Sequence, residues 1–323
     1  MSEIFDMIII GAGPAGLGSA VYAARAGLNV LLIEKTMAAG GQIINTAEVD
    51  NYLGLPGIGG FEMGQTFKAH AEKMGTKFAQ DEVVSIDVSG DYKSVSCKKE
   101  TYKAKTIIIA TGAVHSKLNV PGENEYIGSG VSYCATCDGA FFRGLTTVVV
   151  GGGDVAVGDA IYLAGLCSKV YLIHRRDTLR ANASLQNALK KLDNVEIIWN
   201  SKLIQVNGKD LVESVVIDNK EKGEMEIPAE GVFIAVGMEP ETSFLKNVVE
   251  LDERGYVCAG EDCKTSVEGI YAAGDIRTKN VRQVITAVAD GACAVASAEQ
   301  YLQLCKVENN YGKCEKVDNI YLI

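Results

Sequence analysis

Proline is scarce in this chain, 5 residues in 323, against 35 glycines. That ratio excludes a Pro-rich linker protein and favours many tight strand-to-helix turns, as in α/β folds. Positive charge is also in short supply. With 31 basic and 41 acidic side chains the net charge is −10, which argues against a nucleic-acid surface or an anionic membrane as partner. No apolar run approaches the ~20 residues of a membrane span. The N-terminus, Met1 to Asp6, lacks the basic region of a signal peptide, so a cytoplasmic location is expected. A second Cys-x-x-Cys and a nearby histidine are both missing, so no metal site is expected. The nine cysteines are odd in number and follow no framework spacing, the usage of a reducing compartment.

One cysteine pair does stand out. In Cys134-Ala135-Thr136-Cys137-Asp138 two sulfurs are separated by two residues and can close a small disulfide ring. Such a ring is readily formed and opened by a neighbouring thiolate. An acid directly after the second sulfur gives the pair a proton source. A purely structural bridge is disfavoured by the reducing compartment. The other cysteines read as buried hydrophobes or idle thiols, with Cys305 and Cys314 the least secure in that reading, because they lie near the terminus.

The length suits about two domains. Met7 to Ile10 is an apolar run, Gly11-Ala12-Gly13-Pro14-Ala15-Gly16 follows, and helical periodicity continues through Ala26. Asn29 to Ile33 is apolar again and ends in Glu34. Strand, glycine turn, helix, strand and acid together form a dinucleotide-binding unit. Its glycines admit a pyrophosphate at the helix N-terminus, and Glu34 would accept hydrogen bonds from a ribose diol. The pattern returns at Val148-Val149-Val150 and Gly151-Gly152-Gly153-Asp154-Val155-Ala156. Without a gap, Gly11 aligns with Gly151, Gly13 with Gly153, Gly16 with Ala156, and Leu32-Ile33 with Leu172-Ile173. The unit is therefore duplicated.

The copies differ where it matters. Glu34 aligns with His174, which is followed by Arg175, Arg176 and Arg180. An acid there would repel a 2′-phosphate, whereas arginines offer it charge-assisted hydrogen bonds. Copy one thus suits FAD or NAD, and copy two NADPH. Between the copies, a polar stretch runs from Gly40-Gly41-Gln42 to Asn51. Phe61 to Met74 has helical periodicity. Val83–Val88, Tyr92–Cys97 and Thr101–Ala104 alternate as short strands. Thr106–Ile109 reads as a separate buried strand ending in Ala110-Thr111-Gly112. Past Phe233–Gly237 the first domain resumes, with a strand into Gly274-Asp275 and a long helix from Val281 to Leu304 that carries Arg282 and Gln283 at its start. The second domain is inserted into the first, with crossings near Lys117–Pro121 and Pro240–Phe244. The tail ends in an apolar Ile320–Ile323.

Nearly end to end, these motifs resemble the low-molecular-weight thioredoxin reductases, a branch of the class-II pyridine nucleotide-disulfide oxidoreductases. The resemblance is carried by GAGPAG at Gly11, GGQ at Gly40, ATG at Ala110, CATCDG at Cys134, GGGDVA at Gly151, HRRDTLR at His174, AAGD at Ala272 and RQ at Arg282. CATCDG inside the second unit is the most specific, since disulfide reductases with larger subunits carry their cysteines in the FAD domain.

The resemblance implies an α/β fold of two Rossmann-like, three-layer ββα domains. FAD would occupy residues 1–117 and 244–323, and NADPH residues 118–243. It implies that FAD is held by Gly11, Gly13, Pro14, Ala15, Gly16, Glu34, Lys35, Gly41, Gln42, Asn51, Thr111, Gly112, Asp275, Arg282, Gln283 and Val284. NADPH would be held by Gly153, Asp154, Val155, Ala156, His174, Arg175, Arg176 and Arg180. Electrons would pass from NADPH through FAD to the disulfide and on to thioredoxin. Cys137 would lie against the flavin, Cys134 would attack thioredoxin, and Asp138 would protonate the departing thiolate. Family members work as homodimers and rotate their domains between two arrangements.

Some positions depart from the family. Gly128-Ser129-Gly130 replaces a basic residue near the Cys motif, Val155 a small or hydroxylated one, and Gly158 an acid. Phe141 and Phe142 read either as an apolar docking face or as core. Competing functions are a ferredoxin- or NADH-linked flavin disulfide reductase, the flavin subunit of a peroxide-reducing system, and a non-enzymatic flavin redox sensor.

Overall fold

The structure is a computed structural model describing residues 3–46 and 48–311, the side chains of 45 and 307–311 excepted. Cys314 and the apolar Ile320–Ile323 lie outside the described residues. The chain divides into two compact units. The first takes residues 1–48, 52–114 and 240–323, and the second takes 49–51 and 115–239.

In the first unit the central strand Ile4–Ile10 pairs in parallel with Val30–Glu34 on one side and Thr101–Ile109 on the other. Lys77–Gln80 adds a parallel edge beyond Val30–Glu34. The sequence pattern suggested two strands over 101–109, but they are one strand, paired with Ile4–Ile10 on one edge and with two successive partners on the other. Thr101–Ala104 pairs antiparallel with the hairpin strand Lys93–Cys97, while Ile107–Ile109 pairs in parallel with Ile270–Ala272. Two patterns met on one strand because its two halves have different neighbours.

Continuous apolar runs follow from burial of both sheet faces. Met7, Ile9, Leu32 and Ile108 face one core, together with Leu17 of helix Pro14–Arg25 and Ala294 of helix Val284–Tyr311. Ile8, Ile10, Leu31, Ile33, Ile107 and Ile109 face the other. Ile108 is fully buried, so Ile108→Ala would cost about 2–5 kcal/mol. The long helix begins at Val284, later than the periodicity suggested, so Arg282 and Gln283 precede it.

The second unit repeats the plan. A parallel sheet runs in the order Val195–Ile198, Lys169–Ile173, Thr146–Gly151, Gly231–Ala235, Val131–Ser132. Val149, Leu172 and Phe233 pack under helix Asp154–Ala164. Val148, Val150 and Ile234 pack against an antiparallel meander of Ser201–Gly208, Val212–Asn219 and Gly223–Pro228. The duplication holds down to the register, with Ile10 opposite Ile33 in one copy and Val150 opposite Ile173 in the other. Among the described residues no helix is long and apolar enough to cross a membrane.

Candidate active site

Cys134 and Cys137 are joined as a disulfide with their Cα atoms 5.3 Å apart. The strand Val131–Ser132 delivers the chain to Cys134, which caps a single helical turn, Ala135–Asp138. The amides of Cys137 and Asp138 both donate to the Cys134 carbonyl, at 3.2 and 3.1 Å, so backbone geometry closes the ring. One turn offers little dipole to stabilise a thiolate. Both sulfur-bearing residues are half-buried.

The carboxyl of Asp138 follows directly. Burial pushes its pKa up, and a hydrogen bond from the Ser132 hydroxyl, at 2.6 Å, opposes that shift. A raised acid can hold a proton to hand over. The remaining described cysteines are free. Burial pushes the thiols of Cys97 and Cys263 up to about 12, and those of Cys167 and Cys258 upward, which keeps them protonated and inert. Phe141 and Phe142 part company: Phe141 is 52% exposed, whereas the Phe142 ring packs edge-on against Phe233.

Around Gly11–Gly16 four segments converge. A Cβ on Gly11 would strike the Ala110 carbonyl oxygen at 2.5 Å, and one on Gly16 the Gly11 carbonyl oxygen at 1.9 Å. Both glycines are there for the fold. Gly13 is different. Its φ is −75°, which any residue adopts, and a Cβ would meet nothing nearer than Gly41 Cα at 3.9 Å. Helix Pro14–Arg25 starts with Pro14 in its first turn and has no side-chain cap. Gly40 donates to the Ala12 carbonyl at 2.8 Å, and Gly41 has a φ of +60°. Gln42 donates to the Ala113 carbonyl. Thr111 donates to the Glu241 carbonyl at 3.1 Å, and Gly112 accepts from the Glu241 amide at 3.2 Å. The Glu34 carboxylate takes the Ala12 amide at 2.7 Å and the Thr36 amide at 2.9 Å. A cavity of about 210 Å³ opens there, lined by Ala12, Glu34, Thr36, Met37, Lys68 and Gln80 among others. Lys35 pairs with Glu241 at 2.7 Å on the surface.

Asp275 lies near the same loop, because Gly274 packs on Ala15 so tightly that a Cβ would come within 2.8 Å of it. One Asp275 oxygen is buried with no hydrogen-bond partner, and burial pushes its pKa up. A buried, unsatisfied carboxylate oxygen costs stability unless a bound group donates to it. The room at Gly13, the uncapped helix and this oxygen together fit a bound dinucleotide. The Arg282 guanidinium stacks over the Tyr256 ring at 4.4 Å, and its Nε is likewise buried and unpartnered. Gln283 donates its amide to Thr286 just ahead of Val284. Asn51 is the exception, falling with the second unit rather than with the other expected flavin residues.

The second cradle repeats the logic with different partners. A Cβ on Gly151 would lie 2.5 Å from Ala156 Cβ, whereas one on Gly153 would meet nothing within 4 Å. Helix Asp154–Ala164 again lacks a side-chain cap, and Val155 stands 68% exposed in its first turn. Arg175, Arg176 and Arg180 are exposed, and none pairs with a carboxylate among the described residues. Arg180 donates its amide to the Gly152 carbonyl at 2.7 Å, and Asn182 donates its own to Asp154 at 2.7 Å, so the basic loop is tied to the glycine loop.

His174 lies beside the arginine loop, close enough for its ring to feel Arg176 and Arg180, but unlike them it is buried. It is 4% exposed, its ring bonds to the Thr178 carbonyl at 3.0 Å, and it lies so close to Gly152 that a Cβ there would be 2.2 Å away. Residues 12 and 34 touch in the first copy as 152 and 174 do in the second. The ring therefore explains why position 152 is glycine where its counterpart is Ala12. Among the described residues no cluster could hold a metal.

Comparison with known proteins places the chain in a family. The model of the pyridine nucleotide-disulphide oxidoreductases matches residues 5–291. The thioredoxin reductase of Bacillus subtilis (strain 168) is 44% identical over 308 residues, covering 94% of this chain and 97% of that protein. The chain belongs to the pyridine nucleotide-disulphide oxidoreductases, in the thioredoxin reductase family. The thioredoxin reductase of Listeria monocytogenes is 42% identical over 306 residues, with 94% and 96% covered. The crystal structure of thioredoxin reductase from Streptococcus pyogenes MGAS5005 matches with a TM-score of 0.89 at 44% identity, covering 94% and 99%.

Motif reading missed several residues that this oxidoreductase uses to build its sites. Ser132 holds Asp138, Asn182 holds Asp154, and Asp290 holds Gly274 and Arg277. Ser132, two residues before Cys134, and Asn182, two residues after Arg180, sit close enough to a motif to have been suspected.

Proposed function

We propose that this chain is an NADPH-dependent flavoprotein that reduces the disulfide of thioredoxin through Cys134 and Cys137. The observation that carries this reading is the half-buried Cys134–Cys137 disulfide with the raised acid Asp138 beside it, in the unit that also carries the unpaired Arg175, Arg176 and Arg180. The arginines suit a 2′-phosphate. FAD, held by the first unit, supplies when bound a two-electron relay from NADPH to the disulfide.

The reduced pair then acts on thioredoxin. The Cys134 thiolate attacks one sulfur of thioredoxin's disulfide, forming a mixed disulfide and releasing thioredoxin's other sulfur as a thiolate. Asp138 gives that thiolate its proton. The Cys137 thiolate attacks Cys134 Sγ, re-forms the ring and expels thioredoxin's second sulfur as a thiolate, which takes a proton from solvent to complete the dithiol. Exposed Phe141 offers an apolar contact beside the ring. The same reading assigns residues 118–243 to NADPH and 1–117 with 244–323 to FAD, and takes the protein as a cytoplasmic homodimer without a nucleic-acid or membrane partner. The net charge of −10 supports the last point.

The test is NADPH-dependent reduction of a panel of thioredoxins by the purified protein, alongside Cys134→Ser and Cys137→Ser. The parent should turn over and both variants should not. A serine variant with full thioredoxin-coupled activity would defeat the reading.

A further inference from the structure

We infer that Ser132 is a positioning residue for Asp138, a hydroxyl switch that stabilises this acid in both its charged and its neutral state. The inference rests on the disulfide-reducing reading of the site. Ser132 is 5% exposed and ends the strand Val131–Ser132 that leads into the redox turn. Its Oγ has three neighbours. It lies 2.6 Å from Asp138 Oδ2, accepts the Cys134 amide at 3.0 Å, and sits 3.4 Å from the Cys134 carbonyl oxygen.

Those three contacts allow two arrangements of one hydroxyl hydrogen. With Asp138 ionised, Ser132 donates to Oδ2 and accepts from the Cys134 amide. With Asp138 protonated, the carboxyl O–H donates to Ser132 Oγ, and the serine hydrogen turns to the Cys134 carbonyl. Ser132 Oγ, Asp138 Oδ2 and the Cys134 amide each keep a partner either way, although the turned hydrogen makes the longer bond. Alanine at 132 would leave the carboxylate and the Cys134 amide without that partner. The proton step is then balanced. Asp138–CO₂H and the departing thiolate become Asp138–CO₂⁻ and a thiol, while the serine hydrogen swings from the Cys134 carbonyl to Oδ2.

No charged neighbour competes for this role. On the elements packed around Asp138 the titratable groups are Tyr133, Arg143, Asp154, Asp159 and Tyr162, joined by the Cys134 and Cys137 thiols once the pair is reduced. The two influences on the Asp138 carboxyl are burial and Ser132. Asp154 is engaged by Asn182, and Asp159 is raised to about 6 by its own burial.

A donor to the carboxylate favours the charged form, so Ser132→Ala should raise the Asp138 pKa by roughly one pH unit. The measurement is the rate of iodoacetamide alkylation of Cys134 against pH, on full-length protein reduced with dithiothreitol. The inflection that disappears in Asp138→Asn belongs to Asp138. In Ser132→Ala it should move up by about one unit. In Ser132→Thr, which keeps the hydroxyl, it should return to the parent position. An inflection that stays put in Ser132→Ala, or moves as far in Ser132→Thr, would overturn the assignment. Loss of packing alone would lower rates at every pH without moving the inflection. The assay needs neither NADPH nor thioredoxin. Failure here with intact NADPH-to-thioredoxin turnover in the parent would refute Ser132 alone. Absent parent turnover with the inflection moved as expected would refute the functional reading alone.

Discussion

Alanine at Gly153 and alanine at Gly151, two residues apart in one loop, are expected to act in opposite ways. At Gly153 φ is −94° and an added Cβ meets no protein atom within 4 Å. Losing glycine's freedom in the unfolded chain stabilises by about 0.4–1 kcal/mol. Losing glycine at a helix N-cap to alanine costs roughly 0.5–1 kcal/mol. The two nearly cancel, so the melting temperature should shift by less than about 4 °C. The methyl group instead takes the room that a pyrophosphate would need. One lost charge-assisted hydrogen bond is worth about 1.5–3 kcal/mol, so KM for NADPH should rise roughly ten- to a hundredfold. At Gly151 the same methyl would lie 2.5 Å from both Ala156 Cβ and the Ala235 carbonyl oxygen. The damage there falls on the fold, about 1–3 kcal/mol and a fall of roughly 2–12 °C. Calorimetry without coenzyme and steady-state NADPH oxidation with DTNB read the two effects separately. A Gly153→Ala variant that melts as low as Gly151→Ala, or that melts normally with an unchanged KM, would refute the reasoning.

Other expectations follow from the remaining geometry. Replacing Arg175, Arg176 and Arg180 together by alanine should raise KM for NADPH at least about tenfold and leave KM for NADH nearly unchanged, since the three side chains are exposed and each bond is screened. Equal losses with both coenzymes would contradict the 2′-phosphate assignment. Asp290 accepts a bidentate pair from Arg277, at 2.9 and 2.7 Å, and a third bond from Lys279 at 2.8 Å, with all three side chains under 9% exposed. Asp290→Asn should therefore cost about 3–5 kcal/mol in a urea melt. Burial raises the Asp290 pKa, but the bonds from Arg277 and Lys279 outweigh it and the net shift is downward. Its contribution is thus present above the ordinary carboxylate range and is lost as pH falls through the lowered value. Urea melts from pH 7 to pH 3 should lose that difference between parent and variant progressively. A gap that widened on acidification would have the wrong sign.

Much of this architecture was legible because several residues carry one requirement each. Gly11 and Gly16 have no space for a Cβ, Gly13 and Gly153 have space that nothing in the chain fills, and the strands around them are apolar on both faces. These constraints leave marks at fixed spacing, and the duplicated register of Ile10 with Ile33 and Val150 with Ile173 shows how rigid they are. Thr101–Ile109 was misread as two strands because its partners change midway, which no local pattern records. His174 aligns with Glu34, but its ring is buried against Gly152 beside the arginine loop, whereas the half-buried Glu34 carboxylate bonds the Ala12 amide, a difference of packing that alignment does not record. Ser132 and Asp290 escaped notice because a hydrogen bond between two short side chains across a turn, or from a backbone amide to a carboxylate 16 residues on, has no sequence period.

The most direct test of the account is an anaerobic titration of the holoprotein with NADPH, followed by alkylation and peptide mapping. The account requires the bound flavin to accept electrons and new thiols to appear on Cys134 and Cys137 alone. Electrons that stop at the flavin while that pair stays oxidised, or thiols that appear on other cysteines, would contradict it.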